Sequence, residues 1–425
     1  MNSVKITPGK LKGEVKIPPS KSMAHRAVIC ASLSKGKSKI TNIEYSDDII
    51  ATINAMRALG SEIEIFDDHL EIDGSSVFSK NVGEIDCNES GSTLRFMVPL
   101  AIAKEAEMRF IGKGNLGKRP LTTYYEIFDR QGIEYSYKEG ELDLKVKGSI
   151  KGEEFKIRGD ISSQFISGLL FTLPLIKEDS KIIITTNLES KGYIDLTLSM
   201  LDYYGINVVN NDYKEFIIKG NQNYTPKDYK VEGDFSQSAF FLVADALGSD
   251  VLVKDLNMDS LQGDKEVIEI IERMGCKILS KEEGIKAKVK DLTPTIIDAA
   301  QCPDIIPVLT VLASLTTGIT KVINAERLRI KECDRLKAIT RELNKLGASV
   351  TELENSLLIE GVESLTGGTV SSWDDHRIAM SLAIAATCAK DEVIIENPSC
   401  VKKSYPSFWR DYKLLGGKVD ERLGK

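Results

Sequence analysis

Basic and hydroxyl-bearing residues recur along this chain at the start of segments that have helix-forming character. Six such clusters are KSMAHRA at 21–27, SGSTLR at 90–95, GKGNLGKRPL at 112–121, GDISSQF at 159–165, RIKECDRL at 329–336 and DDHRIAMS at 374–381. Backbone N–H groups at a helix start attract anions, whereas Lys and Arg there cost stability unless an anion binds. The repetition therefore predicts a ligand with several negative charges, such as a phosphorylated carboxylic acid.

The first cluster follows two prolines that should end a strand, so Ser20 is predicted to cap the helix after them. Lys21, Ser22 and Arg26 then lie in the first turns of that helix. Ser22 and Arg26 share one face because they are four residues apart. An anion site is favoured here over a solvated charge cluster.

The second, third and fourth clusters combine glycine, hydroxyl groups and cations. Gly91 and the hydroxyl groups beside it precede Arg95 and resemble a cradle for phosphate or carboxylate. Arg119 ends a glycine-rich loop, and the proline after it is predicted to begin a helix. The Ser-Ser-Gln sequence at 162–164 opens an apolar helix. For the serines, ordinary helix capping is the alternative interpretation.

The fifth and sixth clusters place cations beside acids. Lys331 and Arg335 are four residues apart and are predicted to lie at the start of one helix, while Arg377 opens an apolar helix. Asp304 precedes the apolar segment IIPVLTVLASL, where it could simply cap a helix. Burial would raise the pKa of Asp304 and nearby cations would lower it, and the sequence leaves this balance open.

The elements that must position these clusters recur along the chain. A helix ends in Gly and is followed by an alternating strand that often turns into a second strand. The six glycines, 69 to 73 residues apart, are Gly60, Gly132, Gly205, Gly275, Gly347 and Gly416. Gly at this place supplies the left-handed residue that ends a helix. Each unit is therefore predicted to be helix, strand, turn, strand, and it is larger than a usual solenoid repeat.

One unit cannot bury its own apolar helix face, so we expect three units to pack into each of two lobes. The length of 425 residues also exceeds what one hydrophobic core normally holds. VKIPPSKS and KDYKVEGDFSQS are the candidate crossovers between the lobes. The predicted domains are an inserted lobe of residues 18–230 and a second lobe of 1–17 with 231–425, with the active site in the cleft between them.

Bulk composition narrows the class of protein. The chain has no apolar run long enough to span a bilayer and its first residues do not resemble a secretory signal, so we expect a cytoplasmic protein without a membrane partner. Seven cysteines without a CxxC pair and three histidines argue against a disulfide framework or metal centre. The formal charge of −7 gives no general attraction for nucleic acid.

Together with CPDIIP at 302–307 and KKSYPSFW at 402–409, the six clusters resemble the 5-enolpyruvylshikimate-3-phosphate synthase family over nearly the whole chain. The resemblance implies an α/β fold of two similar lobes, each of three repeats, described as an inside-out α/β barrel. It implies transfer of the carboxyvinyl group of phosphoenolpyruvate to the 5-hydroxyl of shikimate 3-phosphate, through a tetrahedral intermediate and with release of phosphate. It also implies a monomer without metal or organic cofactor.

The resemblance further implies roles for individual residues. Shikimate 3-phosphate would be bound by Lys21, Ser22, Arg26, Ser162, Ser163, Gln164, Ser190, Tyr193, Asp304 and Lys331. Phosphoenolpyruvate would be bound by Lys21, Gly91, Arg119, Gln164, Arg335, Arg377 and Lys403. Gly91 would also lie against glyphosate, the inhibitor that occupies the phosphoenolpyruvate site. Catalytic proton transfers would fall to Lys21, Asp304 and Glu332.

The chemistry of these three residues suits the reaction. Adding an alcohol to C2 of phosphoenolpyruvate requires protonation of the methylene carbon, removal of the hydroxyl proton and cations for the phosphate that leaves. Glu332 and Lys21 suit the proton transfers at carbon, and Asp304 suits the substrate hydroxyl. Departures from the family pattern at Glu89, Ser90 and Arg327 should alter affinity rather than the reaction.

Three other classes fit less well. The related transferase acting on UDP-N-acetylglucosamine has Lys-Asn where this chain has Lys21-Ser22, and usually a cysteine in the loop that corresponds to 112–121. RNA 3′-phosphate cyclase would need a catalytic histidine motif that this chain lacks. A ring-shaped DNA clamp, which is also built from repeats, would leave Asp304 and Glu332 without a role.

Overall fold

The computed structural model describes residues 2–281 and 283–422. The chain divides into two compact units. The first, here called the inserted unit, is Pro19–Val231, and the second, the terminal unit, combines the residues up to Pro18 with those from Glu232 onward. Both boundaries fall one residue after those expected from the sequence. Within the described residues, no helix is both long enough and apolar enough to cross a membrane.

The terminal unit begins with strands β1 (Ser3–Thr7) and β2 (Lys12–Lys16), and the chain then enters the inserted unit. The inserted unit contains α1 (Lys21–Leu33), β3 (Lys37–Thr41), α2 (Asp47–Ala58), β4 (Glu62–Ile65), β5 (His69–Asp73), β6 (Val82–Asp86), α3 (Gly91–Ala101), β7 (Ala106–Ile111), α4 (Thr122–Gln131), β8 (Glu134–Tyr137), β9 (Asp143–Gly148), β10 (Glu154–Ile157), α5 (Ser163–Thr172), β11 (Ser180–Ile184), α6 (Lys191–Tyr203), β12 (Val208–Asn211), β13 (Glu215–Ile218) and β14 (Tyr229–Lys230).

The chain then returns to the terminal unit, which continues with α7 (Phe235–Ala246), β15 (Asp250–Lys254), α8 (Glu266–Arg273), β16 (Cys276–Lys281), β17 (Gly284–Val289), β18 (Ile296–Asp298), α9 (Ile306–Ser314), β19 (Ile319–Ile323), α10 (Arg335–Lys345), β20 (Ser349–Glu352), β21 (Leu357–Glu360), β22 (Gly368–Ser371), α11 (His376–Ala386), β23 (Val393–Glu396), α12 (Phe408–Leu414) and β24 (Lys418–Arg422).

The strands form six four-stranded sheets. Those of the inserted unit have the orders β14-β3-β5-β4, β6-β7-β9-β8 and β10-β11-β13-β12. Those of the terminal unit have the orders β16-β17-β15-β2, β18-β19-β21-β20 and β22-β23-β1-β24. In each sheet one pair is parallel and the other two pairs are antiparallel, as in β6 with β7 followed by β7 with β9 and β9 with β8. Each unit therefore contains three sheets of one kind.

The full repeat is longer than the sequence predicted. It runs strand, central helix, strand, outer helix and two antiparallel strands, where the central helices are α1, α3, α5, α7, α9 and α11 and the outer helices are α2, α4, α6, α8, α10 and α12. The predicted pattern of helix, strand, turn and strand corresponds only to the second half of this repeat. The left-handed conformation predicted for its six glycines is confirmed, because all six have a positive φ, between 66° and 109°.

The central helices carry the hydrophobic cores, one in each unit. Every residue of α7, α9 and α11 is buried, as expected for helices that are apolar all round. The outer helix α10 instead buries one stripe, and the predicted stripe residues Leu336, Ile339, Leu343 and Leu346 are all buried. Because the central helices have no exposed face, only their ends are left to carry polar chemistry.

Candidate active site

Serine caps open the three central helices of the inserted unit. Ser20, Ser90 and Ser162 accept hydrogen bonds from the backbone N–H groups of Met23, Thr93 and Gln164. The predicted cap at Ser20 is confirmed, and capping is also what Ser162 does. A capping hydroxyl accepts through its oxygen and keeps its own O–H to donate. These serines can therefore cap a helix and still bind a ligand.

Lys21 follows the first of these caps and has an acidic partner that the sequence reasoning missed. Its Nζ lies 2.7 Å from Oδ2 of Asp48, the second residue of α2. The carboxylate of Asp48 is 9% exposed and the lysine side chain 17% exposed. A largely desolvated ion pair of this kind fixes the ammonium in one position. Asp48 is therefore a positioning residue for Lys21.

Gln164 lies in a small polar network at the starts of α3 and α5. Its Oε1 accepts from Nη1 of Arg95 at 2.7 Å, and its Nε2 donates to Oγ of Ser92 at 2.9 Å. Nη2 of Arg95 donates to the backbone oxygen of Pro120 at 3.3 Å. Arg95 was noted in the sequence but was not given a binding role. The network shows that it orients the amide of Gln164.

Arg119 and Gly91 meet closely. A Cβ atom built on Gly91 would lie 2.2 Å from Nη1 of Arg119, so only glycine allows the guanidinium its present position. Helix α4 begins at Thr122, after a short 3-10 turn at Leu116–Lys118. The predicted helix start at Pro120 is therefore wrong, and Arg119 lies in the extended connection between turn and helix.

Arg26 is buried and uses several of its donors inside the protein. It donates to Oγ1 of Thr197 and to the backbone oxygens of Ser22 and Tyr193, at 2.7 to 2.9 Å. Burial lowers the pKa of Arg26 to about 10. Ser190, also buried, has a positive φ of 54° at the start of α6. These contacts tie α1 to α6 and leave two of the five guanidinium N–H groups of Arg26 for a ligand.

In the terminal unit, Arg335 holds three carboxylates. Its Nη1 lies 2.7 Å from Asp304, its Nη2 lies 2.7 Å from Glu332, and its Nε lies 2.8 Å from Asp375. The arginine side chain is 1% exposed and that of Asp375 is fully buried. Asp375, which the sequence reasoning did not select, also caps α11. Nearly all donors of Arg335 are thus used to organise acids, and at most one remains for phosphoenolpyruvate.

Asp304 is bound by cations rather than by a helix end. Its Oδ1 accepts from Nζ of Lys331 at 3.1 Å and from Arg335 at 2.7 Å. Burial alone would raise the pKa of Asp304, but Lys331, Arg335 and Arg377 outweigh it and hold the pKa well below its ordinary value. The helix-cap alternative for Asp304 is therefore wrong, because the first residues of α9 have no side-chain cap.

Lys331 and Arg335 reach Asp304 from different elements. Lys331 follows the 3-10 turn Glu326–Ile330, whereas Arg335 is the first residue of α10, which Asp334 caps. The prediction that both lie at the start of one helix is wrong, because the backbone of Lys331 is extended. Burial lowers the pKa of Lys331, and the charge of Asp304 opposes that shift.

Arg377 carries a buried donor that has no hydrogen-bond partner within the described residues. The residue is 4% exposed, its Nη1 donates to the backbone oxygen of Ser236 at 3.0 Å, and its Nε is unsatisfied. Lys403 ends the 3-10 turn Pro398–Lys403 and its Nζ lies 3.3 Å from the backbone oxygen of Asp374. A buried guanidinium with an unused N–H group is a natural site for an anion.

The site residues occupy two kinds of position in the repeats. One is the start of a central helix, as for Lys21, Gly91 and Arg377. The other is the loop before an outer helix, as for Arg119 and Lys331. The sequence predicted that all six clusters open helices, which is wrong for those in the loops before outer helices. Each unit groups its own cations and acids by combining the two positions.

Comparison with known proteins identifies the family of this chain. A family model described as EPSP synthase (3-phosphoshikimate 1-carboxyvinyltransferase) matches residues 6–412. The chain belongs to the EPSP synthase family. A 3-phosphoshikimate 1-carboxyvinyltransferase of Clostridium perfringens strain ATCC 13124 is 63% identical over 419 residues, which make up 98% of this chain and 99% of the relative. Another, of Clostridioides difficile strain 630, is 61% identical over 439 residues and 100% of both chains.

The fold is also found among solved EPSP synthases. A structure from Acinetobacter baumannii matches with a TM-score of 0.81 at 23% identity and covers 100% of both chains. The predicted family, the α/β class with three repeats in each lobe and the carboxyvinyltransferase activity are therefore confirmed. The alternative interpretations of this chain as a DNA clamp and as a UDP-N-acetylglucosamine transferase are therefore rejected.

Proposed function

We propose that these residues transfer the carboxyvinyl group of phosphoenolpyruvate to the 5-hydroxyl of shikimate 3-phosphate. The unsatisfied Nε of buried Arg377, beside the cation-bound carboxylate of Asp304, is the observation that best supports this proposal. Arg377, Lys403 and Arg119 would bind the phosphate and carboxylate of phosphoenolpyruvate. Gly91 provides the space that Arg119 needs.

Shikimate 3-phosphate would be held mainly by the inserted unit. Ser162, Ser163 and Gln164 offer hydroxyl and amide donors at the start of α5, and Arg26 keeps two N–H groups available. We keep the expected contacts of shikimate 3-phosphate with Ser22, Ser190 and Tyr193. Lys331, from the terminal unit, would also bind this substrate. Charge-assisted hydrogen bonds to a phosphate contribute roughly 1.5–3 kcal/mol each. A few of them are therefore enough for tight binding.

Asp304 would accept the proton of the 5-hydroxyl. With its pKa well below the ordinary value, the free carboxylate is ionised but only weakly basic. Its pKa is low because of Lys331, Arg335 and Arg377, and bound phosphate and carboxylate groups would neutralise some of that positive charge. Substrate binding therefore raises the basicity of Asp304 at the moment when a base is needed.

Glu332 and Lys21 would carry the proton to and from the methylene carbon of phosphoenolpyruvate. Glu332 is oriented by Nη2 of Arg335, and Lys21 is oriented by Asp48. Arg335 and Asp48 each hold a proton-transfer group in place, and neither contacts the reacting atoms itself. Arg335 would thus act chiefly by positioning Asp304 and Glu332, with one N–H group left for phosphoenolpyruvate.

Phosphate release from phosphoenolpyruvate in the presence of shikimate 3-phosphate tests the proposed function. We expect turnover with shikimate 3-phosphate and none when UDP-N-acetylglucosamine replaces it. Turnover only with the nucleotide sugar would overturn the substrate assignment. We also propose that the enzyme works as a monomer in the cytoplasm, and gel filtration at the assay concentration tests the first of these points.

A further inference from the structure

One repeat supplies no residue to the site proposed above. Five of the six repeats supply at least one binding or catalytic residue, whereas the repeat of α7 and α8 supplies none. At the positions used by the other repeats it has Ser236, the second residue of α7, and Asp264, in the 3-10 turn Gly263–Lys265 before α8. This repeat therefore places a hydroxyl and a carboxyl where its equivalents place site residues.

These two residues are linked to each other and to Arg377. Oγ of Ser236 hydrogen-bonds Oδ2 of Asp264, and the backbone oxygen of Ser236 accepts from Nη1 of Arg377 at 3.0 Å. Ser236, Asp264 and Arg377 are 7%, 3% and 4% exposed. The three residues form a buried chain of contacts that ends at the guanidinium whose Nε has no partner in the described structure.

We propose that Asp264 is a positioning residue for the binding of phosphoenolpyruvate: through Ser236 it holds Arg377, and its carboxylate becomes protonated when the anion binds. The proposal rests on the function proposed above, in which Arg377 binds the anion. Asp264 itself touches neither the anion nor the reacting atoms. Its contribution is to adjust the charge beside Arg377.

Electrostatics in the buried pocket supports this coupling. Burial and the charge of Asp304 raise the pKa of Asp264 to about 7, while Arg377 and the hydrogen bond from Ser236 oppose the rise. The groups that face this carboxyl from the surrounding elements are Asp304, Arg377, Ser236, Asp234 and Cys302. The carboxyl of Asp264 can therefore change its protonation state near neutral pH. An anion at Arg377 neutralises the cation that lowers the pKa, so the carboxyl binds a proton.

Titration calorimetry with phosphoenolpyruvate, in the presence of shikimate 3-phosphate, tests the proposal. Comparison of buffers with different ionisation enthalpies counts the protons taken up, and measurements are made on variants with low turnover, Glu332→Gln and Glu332→Gln/Asp264→Asn, which keep the charge of Asp304 that acts on Asp264. At pH 7 we expect the variant that retains Asp264 to take up a measurable fraction of a proton more, because its carboxyl is partly ionised before binding. Ionisation of the ligand phosphate is common to both proteins and cancels. Equal proton uptake would overturn the proposal.

Steady-state kinetics in the otherwise unmodified enzyme gives a second readout. The KM for phosphoenolpyruvate should rise by about tenfold from slightly acidic to alkaline pH for each unit by which the anion shifts the pKa of Asp264. Asp264→Asn should remove this part of the pH dependence and leave kcat and the KM for shikimate 3-phosphate within about twofold. Ser236→Ala should move the rise in KM to higher pH, because the hydroxyl lowers the pKa of Asp264.

Glu266→Gln is the matched control. Glu266 is two residues from Asp264 and its pKa is also raised by burial, but it does not face Arg377. Its replacement should leave the pH dependence of KM unchanged, and a change equal to that of Asp264→Asn would show a general effect of buried acids and overturn the proposal. If the wild-type enzyme neither binds phosphoenolpyruvate nor releases phosphate, it is the proposed function that fails. Normal turnover with an unaltered pH profile in Asp264→Asn refutes only the role of Asp264.

Discussion

Replacing Gly91 by alanine tests how the inserted unit holds phosphoenolpyruvate. The new Cβ would lie 2.2 Å from Nη1 of Arg119, and an ordinary contact begins at 3.4 Å. The guanidinium must therefore move by about 1.2 Å (3.4 − 2.2). The backbone itself should accept the methyl group, because Gly91 is the first residue of α3 and has no positive φ.

A shift of that size is large compared with the tolerance of a hydrogen bond. Loss of one charge-assisted hydrogen bond costs roughly 1.5–3 kcal/mol, which corresponds to a roughly 10- to 150-fold weaker interaction. We expect the KM for phosphoenolpyruvate to rise within this range, and the KM for shikimate 3-phosphate to change little. Since the methyl group meets Arg119, we expect glyphosate to bind more weakly as well as phosphoenolpyruvate.

The assay is phosphate release at varied phosphoenolpyruvate, with glyphosate as a competitor and thermal unfolding as a check of the fold. Gly9→Ala is the matched control, because no atom lies within 4 Å of a Cβ built there. An unchanged KM for phosphoenolpyruvate in Gly91→Ala would refute the placement of Arg119 in the site. An equal rise in the two KM values would also count against it.

Three further predictions concern the acids and Arg335. Glu332→Gln and Asp304→Asn should each lower kcat by roughly 10²–10⁴ with the fold retained. The control is Glu326→Gln, which changes an exposed acid in the neighbouring 3-10 turn. Near-normal turnover in Glu332→Gln or in Asp304→Asn would remove that residue from the mechanism. Arg335→Met should destabilise the fold by about 3–5 kcal/mol, because it leaves Asp375 and its neighbours as unpaired buried anions; an unchanged denaturation midpoint contradicts this. The pKa of Asp304 is lower in the folded state than in the unfolded state. The ionised carboxylate therefore stabilises the fold fully above the unfolded pKa, and this stabilisation is lost as pH falls towards the folded pKa. Below about pH 4, the free energy of unfolding should thus fall less steeply with pH in Asp304→Asn than in the unmodified protein.

The sequence was most informative where chemistry is local. Ser20 was recognised as a cap because a cap depends on the next few residues, and the six repeat glycines were recognised because the left-handed conformation restricts the choice of residue. The stripe of α10 followed from helical periodicity. In each case the neighbouring residues alone determine the structure.

Partners from distant elements could not be found in this way. Asp48 contacts Lys21 across 27 positions, and Asp375 contacts Arg335 across 40. Neither separation follows a helix or strand period, so only the packing of the repeats reveals these pairs. Several central helices were predicted individually, but they were not recognised as the first half of the repeat, because helices that are apolar on every side show no common amphipathic pattern.

The pairing of β1 with β23 and β24 affects how the protein is made. Of the described elements, β1 leaves the ribosome first, and its partners in the sheet, Val393–Glu396 and Lys418–Arg422, follow much later. The inserted unit is one continuous segment and can fold during synthesis, whereas the terminal unit needs the end of the chain to complete this sheet. A chain released before β23 would keep β1 without either neighbour, and an unpaired strand edge promotes aggregation. Early termination should therefore yield an aggregating fragment rather than a shortened enzyme.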